Sequence, residues 1–125
     1  MVDGFEHASR SLRDRLAPVV ERVLARHGRQ PVGLREPRAA MAVWFTLHDD
    51  AGAPLVLVSA HARAVNFLLG RRGYLHFRDT ASVTQENLIS WFEEVLDGAL
   101  GGGLEEHEDN RATLRTRSGT IALAN

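Results

Sequence analysis

Residues 84–103 have the sequence TQENLISWFEEVLDGALGGG, which is the most strongly patterned stretch of the chain. The apolar residues recur at helical spacing and cover about half of the helical wheel: Leu88, Ile89, Trp91, Phe92, Val95, Leu96, Ala99 and Leu100. Either Ser82 or Thr84 can serve as the N-cap, and the three glycines at 101–103 end the helix. The pattern predicts an amphipathic helix from about Thr84 to Leu100 that buries one side.

A second amphipathic helix is predicted near the N-terminus, from about Phe5 to His27. Its apolar side follows the same i, i+3, i+4 spacing, and Gly28 is a natural residue to end it. Pro18 interrupts the pattern, because proline lacks the amide hydrogen that an internal helical residue donates. We therefore expect a kink or a division into two helices at Pro18.

The segments between the two helices have the period-two pattern of β-strands. Met41, Val43, Phe45 and Leu47 alternate with Ala42, Trp44, Thr46 and His48, which is period two. Leu55–Ser59 follows a turn as a return strand. The run Ala60–Leu69 fits a strand or a short helix, because periodicity does not separate the two for short apolar runs. We favour a strand, since 70–73 resembles a hairpin turn that leads into Tyr74–Arg78.

Strands are also predicted after the second helix. Leu104–Asp109 and Arg111–Arg115 pair across Asp109–Asn110, and Thr120–Leu123 forms a last strand. Strands that are grouped and separated by single helices favour an α+β class. The expected architecture is one antiparallel sheet of five to seven strands with two main amphipathic helices, in the order α-β4-α-β2/3, packed on one face. A chain of 125 residues is expected to form a single domain, 1–125.

The composition excludes several kinds of chemistry. The chain has no cysteine and no lysine, which removes disulfides, thiol nucleophiles, Schiff bases and the P-loop lysine. No histidine pair has the spacing of a metal site, so neither a metal nor a cofactor is predicted. The first ten residues lack the apolar region of a signal peptide, and no apolar run approaches the ~18 residues of a membrane span. A cytoplasmic location and no membrane contact are therefore expected.

Charge is distributed unevenly along the chain. All 15 basic residues are arginine, and none lies between Asp79 and Asp109. That segment contains nine carboxylates, while the rest of the chain carries a net charge of +8. Their positions are Asp79, Glu86, Glu93, Glu94, Asp97, Glu105, Glu106, Glu108 and Asp109. An asymmetry of this kind carries information about binding partners.

Two interpretations of the acidic segment stay open. The protein's own arginines can fold back onto the carboxylates, or the carboxylates can form a surface that captures a basic protein. In the second case the partner-binding residues are Glu86, Glu93, Glu94, Asp97, Glu105, Glu106, Glu108 and Asp109. A nuclease toxin presents a basic cleft to phosphate, and a secreted client can present a basic segment.

The order of elements is broadly similar to that of small bacterial secretion chaperones and toxin-immunity proteins. This is a resemblance of architecture, which carries little functional weight. With the acidic surface, it leads to the hypothesis of a non-catalytic protein-binding module of the inhibitor/immunity or secretion-chaperone/adaptor type. Direct nucleic-acid binding is disfavoured by a pI of about 6.6.

An alternative site is predicted on one side of the sheet. If alternate residues of two strands share that side, they form an aromatic, histidine and arginine surface that suits a ligand or an active site. The residues concerned are Trp44, His48, His61, Tyr74, His76 and Arg78. A third hypothesis is a homodimer joined through an exposed sheet edge.

Overall fold

The computed structural model describes residues 2–28, 45–48, 54–60 and 63–124, with side-chain surroundings for 11–28, 56–60 and 63–123. These residues form two helices and seven strands in an α+β arrangement with antiparallel pairing. The elements are α1 (Val2–Arg26), β1 (Phe45–His48), β2 (Pro54–Ala60), β3 (Ala64–Leu69), β4 (Tyr74–Asp79), α2 (Gln85–Leu100), β5 (Leu104–Glu106), β6 (Arg111–Thr116) and β7 (Gly119–Ala124).

The strands form two antiparallel sheets, so the prediction of one sheet of five to seven strands was wrong. In the first sheet β2, β3 and β4 are consecutive neighbours, and the short strand β1 pairs along the edge of β2. The second sheet contains β5, β6 and β7. The strand order across both is β1-β2-β3-β4-β7-β6-β5, but β4 and β7 share only the residue pair Leu75–Ala124. The two sheets therefore meet at one residue pair, whereas β7 pairs with β6 along its whole length.

The ambiguous run at 60–69 lies in strands at Ala60 and Ala64–Leu69, as favoured, while residues 61–62 lie outside the described residues. β2 ends at Ala60 and β3 covers Ala64–Leu69, where Val65, Phe67 and Leu69 are buried on one side. The predicted turn at 70–73 follows, with positive φ at both Gly70 and Gly73.

Helix α1 extends from Val2 to Arg26 with Pro18 inside it, so the predicted division into two helices does not occur. Pro18 lies on the exposed side of α1, as does Asp14 four residues before it. The carbonyl that loses its hydrogen bond to proline therefore faces water, which lowers the cost of the interruption. The predicted strand residues 41–44 and the turn at 49–52 lie outside the described residues.

Helix α2 is capped by Thr84, whose hydroxyl accepts a hydrogen bond from the Asn87 amide at 3.2 Å. Ser82, the competing cap, instead donates to the Asp79 carbonyl. The buried side of α2 packs against β2 of the first sheet and β6 of the second, and α1 packs beside it. The central side chains of this core include Leu24, Phe67, Phe92, Leu96 and Leu114, all of which are at most 1% exposed.

Two glycines allow α2 and β6 to approach closely. A Cβ atom at Gly98 would lie 2.6 Å from the carbonyl oxygen of Arg115, and one at Gly103 would lie 2.5 Å from the same oxygen. The backbone at this point is also joined by hydrogen bonds from the Gly103 amide to the Gly98 carbonyl and from the Arg115 amide to the Gly103 carbonyl, at 2.8 and 2.9 Å. The side chain of any other residue at 98 would push α2 away from the second sheet.

We expect Gly98→Ala to destabilise the protein by about 1–3 kcal/mol, because the added methyl group overpacks the contact with Arg115. In an unconstrained helix the same change stabilises by up to about 1 kcal/mol, so the sign of the effect is diagnostic. Ser90→Ala, on the exposed side of the same helix, is the control and should alter stability by no more than about 0.5 kcal/mol. Urea unfolding of the three proteins measures the difference; a Gly98→Ala variant as stable as wild type would contradict the close contact.

Candidate protein-interaction site

Helices α1 and α2 are joined by ion pairs that involve two of the predicted partner-binding residues. Arg22 and Arg26 lie one turn apart on α1, and Glu93 and Asp97 lie one turn apart on α2. Arg22 contacts both carboxylate oxygens of Glu93 at 3.2 Å. Arg26 donates to Glu93 Oε1 and Asp97 Oδ1, each at 3.1 Å. We call these side chains, with His27, the interhelix cluster.

His27 completes the interhelix cluster at the end of α1. Its Nε2 lies 2.8 Å from Asp97 Oδ1. The pairing of Arg22 with Glu93 and of His27 with Asp97 shows that α1 and α2 run in the same direction at this contact. Their carboxyl-terminal ends are therefore adjacent, and Arg26 and His27 place cationic or hydrogen-bonding groups at two negative dipole ends.

The pKa values of the acids reflect these contacts. Burial acts to raise the pKa of Glu93, but hydrogen bonds from Arg26 and Arg22 outweigh it and leave the pKa below the ordinary 4.5. Burial also acts to raise the pKa of Asp97, but hydrogen bonds from His27 and Arg26 outweigh it and leave this pKa below the ordinary 3.8. Both acids are therefore charged at neutral pH. Each charged carboxylate stabilises the fold fully at a pH above its ordinary pKa. This stabilisation is lost as the pH falls through the lowered pKa of the folded state.

Glu94 also has a partner within the chain. Its carboxylate accepts a hydrogen bond from the Ser118 hydroxyl of the turn between β6 and β7. Between this turn and the interhelix cluster lies a depression of about 40 Å³ lined by Ser90, Glu93, Glu94, Asp97 and Arg117. That volume accommodates about one water molecule, whereas small-molecule sites occupy roughly 300–1,000 Å³.

The remaining predicted partner-binding residues are exposed. Glu105 and Glu106 lie on β5, and Glu108 and Asp109 lie in the turn before β6. Within the described part of the chain, none of these four forms an ion pair. Glu86 is exposed as well, but it lies in the first turn of α2. A helix of 16 residues is roughly 24 Å long, so Glu86 is far from the β5–β6 hairpin.

The structure therefore divides the eight predicted partner-binding acids into four groups. Glu93 and Asp97 form ion pairs with arginines of α1. Glu94 accepts a hydrogen bond from a hydroxyl, and Glu86 lies apart from the other acids in the first turn of α2. Only the acids at 105–109 remain together and exposed. The self-pairing interpretation is therefore correct for Glu93 and Asp97, and the partner-surface hypothesis is left with the acids at 105–109.

The alternative ligand residues are not all brought together. Trp44 and His61 lie outside the described residues, and His48 pairs with Pro54 in backbone register. Tyr74, His76 and Arg78 of β4 lie on the side of the sheet that α2 covers. Tyr74 is fully buried, and its hydroxyl has no hydrogen-bond partner among the residues that the structure describes.

Trp91 of α2 occupies the space above β4. Its indole Nε1 donates to His76 Nε2 at 3.1 Å, and the guanidinium of Arg78 lies 5.3 Å from its ring centroid. His76 must accept at Nε2, so the contact requires the neutral ring with its proton at Nδ1. Burial lowers the pKa of His76 from its ordinary 6.5, and the nearby Arg78 charge lowers it further. The histidine is therefore a packing partner of Trp91.

Two residues that sequence reasoning did not assign to a site, Leu75 and Phe77, are exposed on β4 to 46% and 58%. The strand has apolar and aromatic residues on both sides, so its own pattern does not show which side α2 covers. Trp91 covers the side of β4 that carries His76 and Arg78, and the position of Trp91 depends on how α2 packs on the sheet.

Comparison of the chain with protein-family models, curated proteins and solved structures gives no match. Among the described residues, no three histidine, aspartate or glutamate side chains are arranged to hold a metal ion. Neither described helix has the length and apolarity needed to cross a bilayer.

Removing the carboxylates of the interhelix cluster should weaken folding. We expect the double variant Glu93→Gln/Asp97→Asn to melt several degrees below wild type, because Arg22 and Arg26 lose their partners while repelling each other. The control Glu105→Gln/Asp109→Asn removes the same charge from exposed residues and should melt near the wild-type temperature. Equal melting temperatures for the two variants would show that the cluster contributes nothing to stability.

Acidification should destabilise the protein through His76. Because its pKa is lower in the folded state, the unfolded chain takes up a proton more readily once pH falls below the ordinary value of 6.5. The stabilisation from neutral His76 is fully present above pH 6.5 and declines as the pH falls towards the lowered pKa of the folded state. Between about pH 7.5 and about pH 5.5 the melting temperature should fall more for wild type than for His76→Gln, which keeps an acceptor for Trp91 but does not titrate. Identical slopes would exclude His76 as the source.

Proposed function

We propose that this protein is a non-catalytic protein-binding module whose β5–β6 hairpin engages a basic segment of another protein. The observation that supports the proposal is the exposure of four carboxylates within residues 105–109, without an ion pair among the described residues. We call these four residues the acidic hairpin: Glu105, Glu106, Glu108 and Asp109.

The backbone holds the acidic hairpin in a defined turn. Asn110 adopts a positive φ of 56°, and the His107 amide donates to the Arg111 carbonyl at 2.7 Å. Arg72 donates to the side-chain oxygen of Asn110 at 3.3 Å. The four like charges are held close together on a short, ordered hairpin, where they repel one another until an opposite charge binds.

Such a surface acts mainly on encounter and selectivity. Complementary charge increases the association rate and rejects partners of the wrong sign, and both effects weaken as salt screens the charges. A nuclease toxin with a phosphate-binding cleft and a secreted client with a basic segment both present the required charge. The proposal therefore covers an inhibitor/immunity role and a chaperone/adaptor role in the cytoplasm, without distinguishing between them.

The alternative of small-molecule binding or catalysis at β4 has no comparable support. Tyr74 is buried in the core, and the Nε2 atom of His76 is occupied by the Trp91 indole. Both side chains would have to leave these contacts before a ligand could use them.

The test compares two triple variants with the same net charge. Glu105→Gln/Glu108→Gln/Asp109→Asn removes three charges from the acidic hairpin, and Asp14→Asn/Glu21→Gln/Glu86→Gln removes three from exposed positions elsewhere. Each immobilised protein is used to capture partners from the source-cell lysate at low salt, and association rates are then measured with the recovered partner. The hairpin variant should associate at least about tenfold more slowly.

The control variant should associate at nearly the wild-type rate, and high salt should slow both wild type and control towards the hairpin variant. Equal losses in the two triple variants would indicate a general effect of net charge. A partner that binds the hairpin variant at the wild-type rate would refute the proposed site.

A further inference from the structure

The first sheet has an apolar side that points away from both helices. Register places Leu57, Leu68 and Leu75 directly opposite one another on β2, β3 and β4. Phe77 lies on the same side of β4, two residues beyond Leu75. We call these four side chains the outer apolar patch. Their neighbours along each strand, including Val58, Phe67 and Tyr74, are fully buried on the helix side.

The outer apolar patch is unusual for a surface in contact with water. Leu75 and Phe77 are 46% and 58% exposed, and Leu57 and Leu68 beside them are partly exposed. Isolated exposed apolar residues are common, but a contiguous group on one sheet marks an interaction surface. A sheet that is apolar on both sides is normally covered on both.

Opposite charges flank the patch. Asp79 lies two residues after Phe77 on β4, so both side chains are on the same side of the sheet. At roughly 3.3 Å per residue, Asp79 is about 13 Å from Leu75. Leu75 of β4 pairs with Ala124 of β7, and Ala124 pairs in turn with Arg111 of β6. Paired residues lie on the same side, so Arg111 shares the side of Leu75 at a distance of two strands, or about 10 Å. Both side chains are exposed, and no described side chain forms an ion pair with either.

We propose that the outer apolar patch binds a second copy of this chain, sheet against sheet, in a two-fold symmetric dimer. A two-fold axis that lies in the plane of the interface, and crosses the patch midway between Asp79 and Arg111, brings Asp79 of each chain opposite Arg111 of the partner subunit. The apolar side chains of the two copies then fill the space between the sheets, which pack about 10 Å apart in sandwiches.

Charge complementarity favours a second copy over an unrelated partner. An isologous interface requires a surface that complements itself, and an apolar centre with one acid and one base at comparable distances on two sides meets that requirement. A second copy supplies both signs of charge at once, since each chain offers Asp79 to the partner's Arg111 and Arg111 to the partner's Asp79. Arg111 follows the turn of the β5–β6 hairpin, so one end of the interface borders the acidic hairpin.

Sedimentation velocity of the full chain over a range of concentrations tests the proposal. We expect a reversible dimer for wild type and at least about tenfold weaker dimerisation for Phe77→Ser, since truncation of a central aromatic anchor commonly has an effect of this size. Because Phe77 is exposed in the monomer, the variant should keep its circular dichroism spectrum and melt close to wild type when both are measured as monomers. A leucine variant, Leu75→Ser, provides a second measurement at the same patch.

Charge exchange gives the more specific test. Asp79→Arg and Arg111→Asp should each weaken dimerisation by about threefold or more, because each places like charges opposite one another. The combination in one chain restores opposite charges and should return the dissociation constant to within about twofold of wild type. Asp79→Asn controls for the turn, since its side-chain oxygen can still accept the hydrogen bond that Asp79 accepts from the Ala81 amide.

A chain that remains monomeric at all concentrations would overturn the proposal. So would a dimer that Phe77→Ser leaves unchanged, which would place the interface elsewhere, or a double variant weaker than both single variants. Phe77→Ser leaves every residue of the acidic hairpin unchanged, so with this variant dimerisation and partner capture succeed or fail separately.

Discussion

The contact between α2 and β6 is the constraint on which the arrangement of this protein depends. Gly98 and Gly103 let the helix backbone meet the Arg115 carbonyl without an intervening side chain. α2 thereby lies against the second sheet while its apolar side also covers the first sheet, although the two sheets share a single residue pair. The position of Trp91 over β4 and of Glu93 and Asp97 beside α1 follows from the same placement.

The interhelix cluster shows why charge in the sequence differs from charge on the surface. The interval from Asp79 to Asp109 contains nine acids and no base, which suggests one continuous negative field. The side chains that pair with part of it are Arg22 and Arg26 of α1 and His27 just after α1, about 70 residues earlier in the chain. Local spacing contains no information about such long-range pairs, so the effective negative surface is reduced mainly to the acidic hairpin.

The β4 strand illustrates a different limit. Its alternating residues Tyr74, His76 and Arg78 have the composition of a ligand site, whereas Leu75 and Phe77 have that of a core. The helix covers the first set, because Trp91 supplies a hydrogen bond for His76 and an aromatic ring for Arg78. The apolar set is left on the outside, so the proposed dimer surface consists of residues whose type alone suggests burial.

The sequence by itself determined the class of the fold, the order of its elements and most of their bounds, because periodicity, caps and turn glycines act over a few neighbouring residues. Thr84, the glycines at 70 and 73 and the alternation in β3 each have a local physical cause. Only the tertiary structure decided that the strands separate into two sheets, that α1 neutralises Glu93 and Asp97, and that β4 turns its polar set inwards. Those outcomes depend on contacts between residues far apart in the chain, whose free energies no local pattern contains.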